Sequence, residues 1–240
     1  MKKKLLKFSK KLLTVFLILF SICLFCLFDY GKTTVKNSSE NDFMTHDDYV
    51  NIEDISPYAI NAIVDIEDNT FWTNPGINIK GLGRAATIII KSKGERIVGG
   101  SSITQQLVKN VFLNQDVNIT RKVKEMSIAI QLDNKYSKRQ ILEFYFNNSY
   151  FANGCYTIES ASKLYFGKPV KDVSLSEAAY LCAILNSPTH FNPYKDVNAA
   201  IPRRNQILEK MFQMGDISQE EYNTAINESI VLKEDNNETK

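Results

Sequence analysis

This chain has few of the side chains that hold metals or frameworks. Its 240 residues include only two histidines, His46 and His190, too few and too far apart for a His-based metal centre. Cysteine is also scarce, with four in all, and no framework spacing points to a disulfide-built fold. Cys23 and Cys26 lie inside an apolar run, so their close spacing is not a redox or zinc motif. Cys155 and Cys182 are expected to be buried free thiols rather than a pair. Charge is nearly balanced, with 29 basic and 27 acidic residues. Six of the lysines fall within the first eleven positions. Without them the rest is net acidic, 23 basic against 27 acidic residues. Nucleic acid is therefore not an expected partner.

The chain does contain one long apolar run. Leu12 to Phe28 spans 17 residues, with Thr14 and Ser21 its only polar members. A membrane-spanning helix needs about 17–25 residues, whereas a signal-peptide apolar core is about 7–15. No small-x-small cleavage site follows Phe28. The expectation is an uncleaved transmembrane anchor, a cleaved signal peptide being the competing reading. The lysine cluster puts the N-terminus in the cytoplasm and the rest outside. The predicted organisation is a cytoplasmic basic segment (1–11), an anchor (12–28), a polar tether (29–49), one domain (50–232) and a polar tail (233–240).

The domain reads as all-α. Ser56-Pro57 is a helix start, with Ile60, Ile63, Val64, Glu67 and Phe71 at helical spacing after it. Further helices are expected over Ile79 to Lys91, Ile103 to Leu113, Arg121 to Lys135 capped by Thr120, Lys138 to Asn148, and Leu175 to Leu185. The last is opened by Ser218. Ser137-x-x-Gln140, Ser174-x-x-Glu177 and Ser218-x-x-Glu221 are capping boxes.

Three stretches could carry chemistry. Gly99-Gly100-Ser101-Ser102-Ile103-Thr104-Gln105-Gln106-Leu107-Val108-Lys109-Asn110 combines backbone freedom with hydroxyls, amides and a cation. That set suits an anionic, hydroxyl-rich ligand. Glu67 falls on an apolar helix stripe, and a carboxylate partly stripped of water there suits proton transfer. The bland alternative is a rim glutamate satisfied by a backbone or arginine partner. Glu125 lines up with Ile128, Ala129 and Leu132, with Arg121 and Lys122 just before it. This is either an ordinary helix ion pair, worth about 0.3–0.5 kcal/mol, or a cationic phosphate pocket at a helix N-terminus. Two carboxylates on separate helices, with cations beside one, fit glycosyl transfer from a pyrophosphate donor.

These stretches occur in an order that resembles the peptidoglycan glycosyltransferases, glycosyltransferase family 51. The resemblance rests on Glu67-Asp68-x-x-Phe71, Gly99-Gly100-Ser101-Ser102-Ile103-Thr104-Gln105-Gln106 and Arg121-Lys122-x-x-Glu125. It continues through Ser137-Lys138-x-x-Ile141-Leu142-Glu143, Ile158-Glu159-x-Ala161 and Leu175-x-Glu177-Ala178-Ala179 to Arg203-Arg204-Asn205. It implies a lysozyme-like larger lobe and a small membrane-facing lobe that includes about Ile79 to Val98.

By that resemblance, Glu67 is the general base and Glu125 the second catalytic carboxylate. Asp68, Phe71, Ser101, Thr104, Gln105, Lys109, Asn110, Arg121 and Lys122 bind substrate. The substrates are lipid II and the nascent glycan strand. The resemblance admits a divalent cation, Mg or Mn, and no organic cofactor, and it admits other cell-wall synthesis proteins as partners. No second large domain is expected after residue 212, which points to a monofunctional enzyme. Rival readings are a glycan-cleaving muramidase, which needs no pyrophosphate pocket, and an impaired lipid II or cell-wall-assembly binder. The second arises because Asn74 and Asn78 stand where the family has His and Asp. Ala152 and Thr157 likewise stand where it has glycines.

Overall fold

The computed structural model describes residues 21, 25–26, 28–92, 99–113 and 119–233. Among them there are helices, turns and no strand, as the patterning predicts. Residues 28–37 are helical and are called α1, and residues 21 and 25–26 before them are helical as well. Then follow α2 (Pro57–Glu67), α3 (Ile79–Lys91), α4 (Ile103–Phe112), α5 (Ile119–Lys135) and α6 (Lys138–Phe146). The chain continues through α7 (Ile158–Phe166), α8 (Leu175–Asn186), α9 (Ile201–Met214) and α10 (Gln219–Asn227). The expected anchor lies almost wholly outside the described residues, as do residues 93–98 of the small lobe and the tail after Lys233. Among the described residues no helix is long and apolar enough to cross a membrane.

Among the described residues, capping boxes open five of the ten helices. The Ser137, Ser174 and Ser218 boxes form as predicted, and Ser102 with Gln105 and Thr157 with Ser160 form the same device. Thr157, where the family has glycine, is therefore a helix cap. Ala152 takes the left-handed conformation itself, at φ 67°, which costs a non-glycine residue about 1–2 kcal/mol. Gly167 and Gly215 end α7 and α9 in that same conformation without the penalty. Thr120 is not a cap, because α5 begins one residue earlier at Ile119.

The core is built around α8, whose residues Ala178 to Ile184 are all buried. A helix apolar on every side must be enclosed. Helices α2 and α9 pack on α8, α10 closes the same side, and α4 packs on α5 and α6. Arg204 is 2% exposed and joins this side together. Its guanidinium donates to Ser176 Oγ and to the carbonyls of Ile226 and Glu228 at the end of α10, where a cation suits the helix dipole.

Residues 29–49 differ from the expected tether. Gly31, Val35 and Ser38 form a buried stripe at helical spacing. Phe43 is fully buried and meets Phe112, Tyr136 and Phe144, stacking on the last at 4.2 Å. Isolated apolar residues between polar ones give no periodic signal, and here they mark an irregular segment packed onto the domain.

Candidate active site

Helix α4 carries the candidate site between its two carboxylates. Its consecutive glutamines diverge around the helix axis, and each takes one of them. Gln106 Nε2 donates to Glu67 Oε2 at 2.9 Å, and Gln105 Nε2 donates to Glu125 Oε1 at 3.1 Å. The Ser102 cap sets this register. Its hydroxyl accepts from Gln105 N and donates to Gly76 O at 2.5 Å. Gly100 permits the approach before it, since a Cβ there would lie 2.7 Å from Gly81 O on α3.

Glu67 ends α2 with its side chain 19% exposed. Among the described residues its other side-chain partner is Arg203 Nη2, at a long 3.5 Å. Tyr145 steadies the glutamine by donating to Gln106 Oε1 at 3.0 Å. Burial pushes the Tyr145 hydroxyl and the Cys182 thiol well above their ordinary ranges, and the nearby Glu67 charge adds to both shifts. Both groups therefore keep their protons and do not compete with Glu67 as bases.

Glu125 is 2% exposed and saturated. Oε2 accepts from Arg121 Nη1 at 2.8 Å, while Oε1 pairs with Lys122 as well as Gln105. Lys122 Nζ also donates to Ser101 Oγ at 2.6 Å. The first turns of α5 thus hold two cations partly open to solvent, fixed by a carboxylate beneath them. The alignment predicted for Glu125 is present, since Ile128, Ala129 and Leu132 are all fully buried.

Other expected contacts lie elsewhere. Asp68 is 1% exposed and fully engaged. Its carboxylate accepts from Thr70 Oγ1 and Asn78 Nδ2 at 2.9 Å, Asn74 Nδ2 at 2.8 Å and Ile103 N, the first amide of α4, at 3.3 Å. Asp68 ties the 70–78 loop to α4 and has no free face for a sugar. Phe71 is fully buried under Lys138, whose Nζ stands 4.8 Å from the ring centre. Asn110 is exposed and holds the loop after α6 through Asn148 O at 2.9 Å. Thr104 is fully buried, and among the described residues its hydroxyl oxygen has no partner. Lys109 lies one turn beyond Gln105, half-buried. Gln106, Tyr145 and Arg203 join the site, and the sequence placed them in motifs without giving them a role. Arg203 was legible only as part of a distant motif.

The two departures from the family pattern have a physical account. Asn74 and Asn78 are buried amides that donate to Asp68, and their own oxygens accept from Gly76 N and Gly81 N. They are donors where a second carboxylate would face Asp68.

Among the described residues no three His, Cys, Asp or Glu side chains converge as a metal site. Asp68 and Glu125 already spend their oxygens on protein donors. This donor set does not fit a protein-held cation.

Comparison with known proteins agrees with this arrangement. A family model described as Transglycosylase matches residues 34–212. The chain belongs to that family, the peptidoglycan glycosyltransferases. The chain is 41% identical over 189 residues to penicillin-binding protein 1A of Aquifex aeolicus, covering 78% of this chain and 26% of that protein. It is 39% identical over 181 residues to penicillin-binding protein 1A of Pseudomonas aeruginosa (75% and 22%). It is 43% identical over 177 residues to penicillin-binding protein 2a of Streptococcus pneumoniae (74% and 24%). The chain spans about a quarter of the length of these curated relatives. The match begins at residue 34, inside α1, in keeping with the packing of the segment first read as a tether.

Proposed function

We propose that this transglycosylase domain polymerises lipid II into glycan strands. Glu67 takes the proton from the 4-hydroxyl of the acceptor N-acetylglucosamine. That oxygen attacks C1 of the N-acetylmuramic acid at the reducing end of the growing chain. The C1–oxygen bond to the diphosphate breaks from the opposite face, so the anomeric centre inverts. Undecaprenyl pyrophosphate leaves toward Arg121, Lys122 and Lys109. Glu125 positions the first two of these cations and takes no proton. The domain works outside the cell membrane, held there by the apolar run before α1.

One observation carries this reading. The adjacent glutamines of α4 hold a loosely bound, partly exposed carboxylate on one side and a carboxylate-braced cation pair on the other. A muramidase has no use for the second side. The impaired-binder reading rested on Asn74 and Asn78, and their amides have a structural task under Asp68.

The test is incubation of the detergent-solubilised protein with labelled lipid II and Mg or Mn, with products separated on a gel. A glycan ladder is expected, and Glu67→Gln should abolish it while lipid II binding persists. A ladder unchanged by Glu67→Gln refutes the assigned base, and no ladder with intact binding favours the impaired binder.

A further inference from the structure

Helix α1 meets α5 at three levels. Near its start, Lys124 Nζ stands 4.7 Å over the Tyr30 ring. At the next level Gly31 lies against α5 so closely that a Cβ would fall 2.3 Å from Ser127 Oγ and 2.8 Å from the Ser127 carbonyl. Any side chain there must push the helices apart. At the far end Lys135 Nζ donates to Val35 O at 2.9 Å and Ser38 O at 2.6 Å. The Val35 carbonyl also accepts from Ser38 Oγ at 2.9 Å, so Lys135 reinforces the end of α1. Positions 30, 31 and 35 on α1 meet 124, 127 and 135 on α5, so the two helices run parallel.

The parallel register has a geometric consequence. The start of α1, where the apolar run ends, lies beside the first turns of α5. Those turns carry Arg121, Lys122 and Glu125. Phe28, at the end of the apolar run, and Tyr30 just after it are exposed, 48% and 39%, as residues entering a lipid interface are.

We infer that α1 is a rigid strut, docked through Gly31 and capped by Lys135, that sets the height of the Arg121–Lys122 cation pair over the lipid surface. A lipid-linked diphosphate sits at headgroup level, so this height decides whether the cations reach it. Gly31 and Lys135 are thus positioning residues. The inference rests on the proposed function and on the anchor.

The test uses the full chain in vesicles of phosphatidylethanolamine and phosphatidylglycerol. A fluorophore at exposed Asn223 on α10 reports its distance from an acceptor lipid by energy transfer. Gly31→Leu is expected to shift or broaden that distance, and an unchanged distance overturns the strut. This readout needs no polymerase activity, so its failure is distinguishable from failure of the proposed function. In the activity arm, lipid II in vesicles is compared with lipid II in detergent. Gly31→Leu should raise KM about tenfold or more in vesicles, since small misplacements cost large factors, and change little in detergent. An equal change in both settings also overturns the strut, because a merely structural defect acts on both. Should Gly31→Leu fail to fold, Lys135→Met decides by the same two readouts, with a smaller shift expected.

Discussion

Glu67 and Glu125 are the same side chain in two different electrostatic settings. Glu67 has one good neutral donor, one distant guanidinium and an open side. Glu125 has three donors, two of them cations, and almost no exposure. A carboxylate with a free face can accept a proton from a ligand, whereas one committed to cations can only position them. Asp68 extends the contrast, being one residue from Glu67 yet enclosed by neutral donors. The distinction lies in which helix end or loop surrounds each group.

The contrast breaks most severely at Glu67. Glu67→Gln keeps the contact region but removes the base, so kcat should fall by about 10²–10⁴-fold, measured by continuous glycan synthesis, with Tm nearly unchanged. At Glu125 the balance should reverse. Glu125→Gln leaves Arg121 and Lys122 facing each other without their anion. We expect a Tm loss corresponding to about 1–3 kcal/mol together with a raised KM for lipid II. A Tm loss at Glu67 matching that at Glu125 would erase the distinction.

Asn78→Asp probes the enclosed carboxylate. It sets a second carboxyl at the 2.9 Å contact with Asp68. Thermal unfolding should show a loss of about 1–3 kcal/mol, larger at pH 8 than at pH 4, because the two facing carboxyls can share a proton only at the lower pH.

The smallest effect belongs to Asp65, on the opposite side of α2. It is 6% exposed. Burial, then the hydrogen bond and charge of Asp216, push its carboxyl from the ordinary 3.8 up to about 7. The folded state therefore holds this proton more tightly than the unfolded chain. The resulting stabilisation is present below about pH 4 and is lost as pH rises toward 7. Asp65→Asn keeps a donor toward Asp216 without the charge. Its Tm should exceed that of the wild type by about 2–6 °C at pH 8, with the gap closing toward pH 4.

The helical class, most helix starts and both carboxylates were legible in the sequence. Capping boxes and apolar stripes are local signals, complete within four to eight residues. The burial of α5 below Glu125 followed from Ile128, Ala129 and Leu132 alone. Asp68 and Phe71 are enclosed by protein, which a motif does not show, because it gives residue types but not which way they face. Phe43 gives no local signal, because its partners Phe112, Tyr136 and Phe144 are remote in sequence. Arg203 and Tyr145 carried no local mark of their connection to Glu67.

The sequence by itself determined that this chain forms capped helices, with a base candidate and a cation pair on different helices. These follow from spacing and residue chemistry. Only the tertiary structure decided which carboxylate stays free. That depends on Gln105 and Gln106 diverging from one helix, on Asn74 and Asn78 folding back to Asp68, and on Gly31 letting α1 lie against α5. Each is a contact between distant segments, and its energy exists only once the chain has packed.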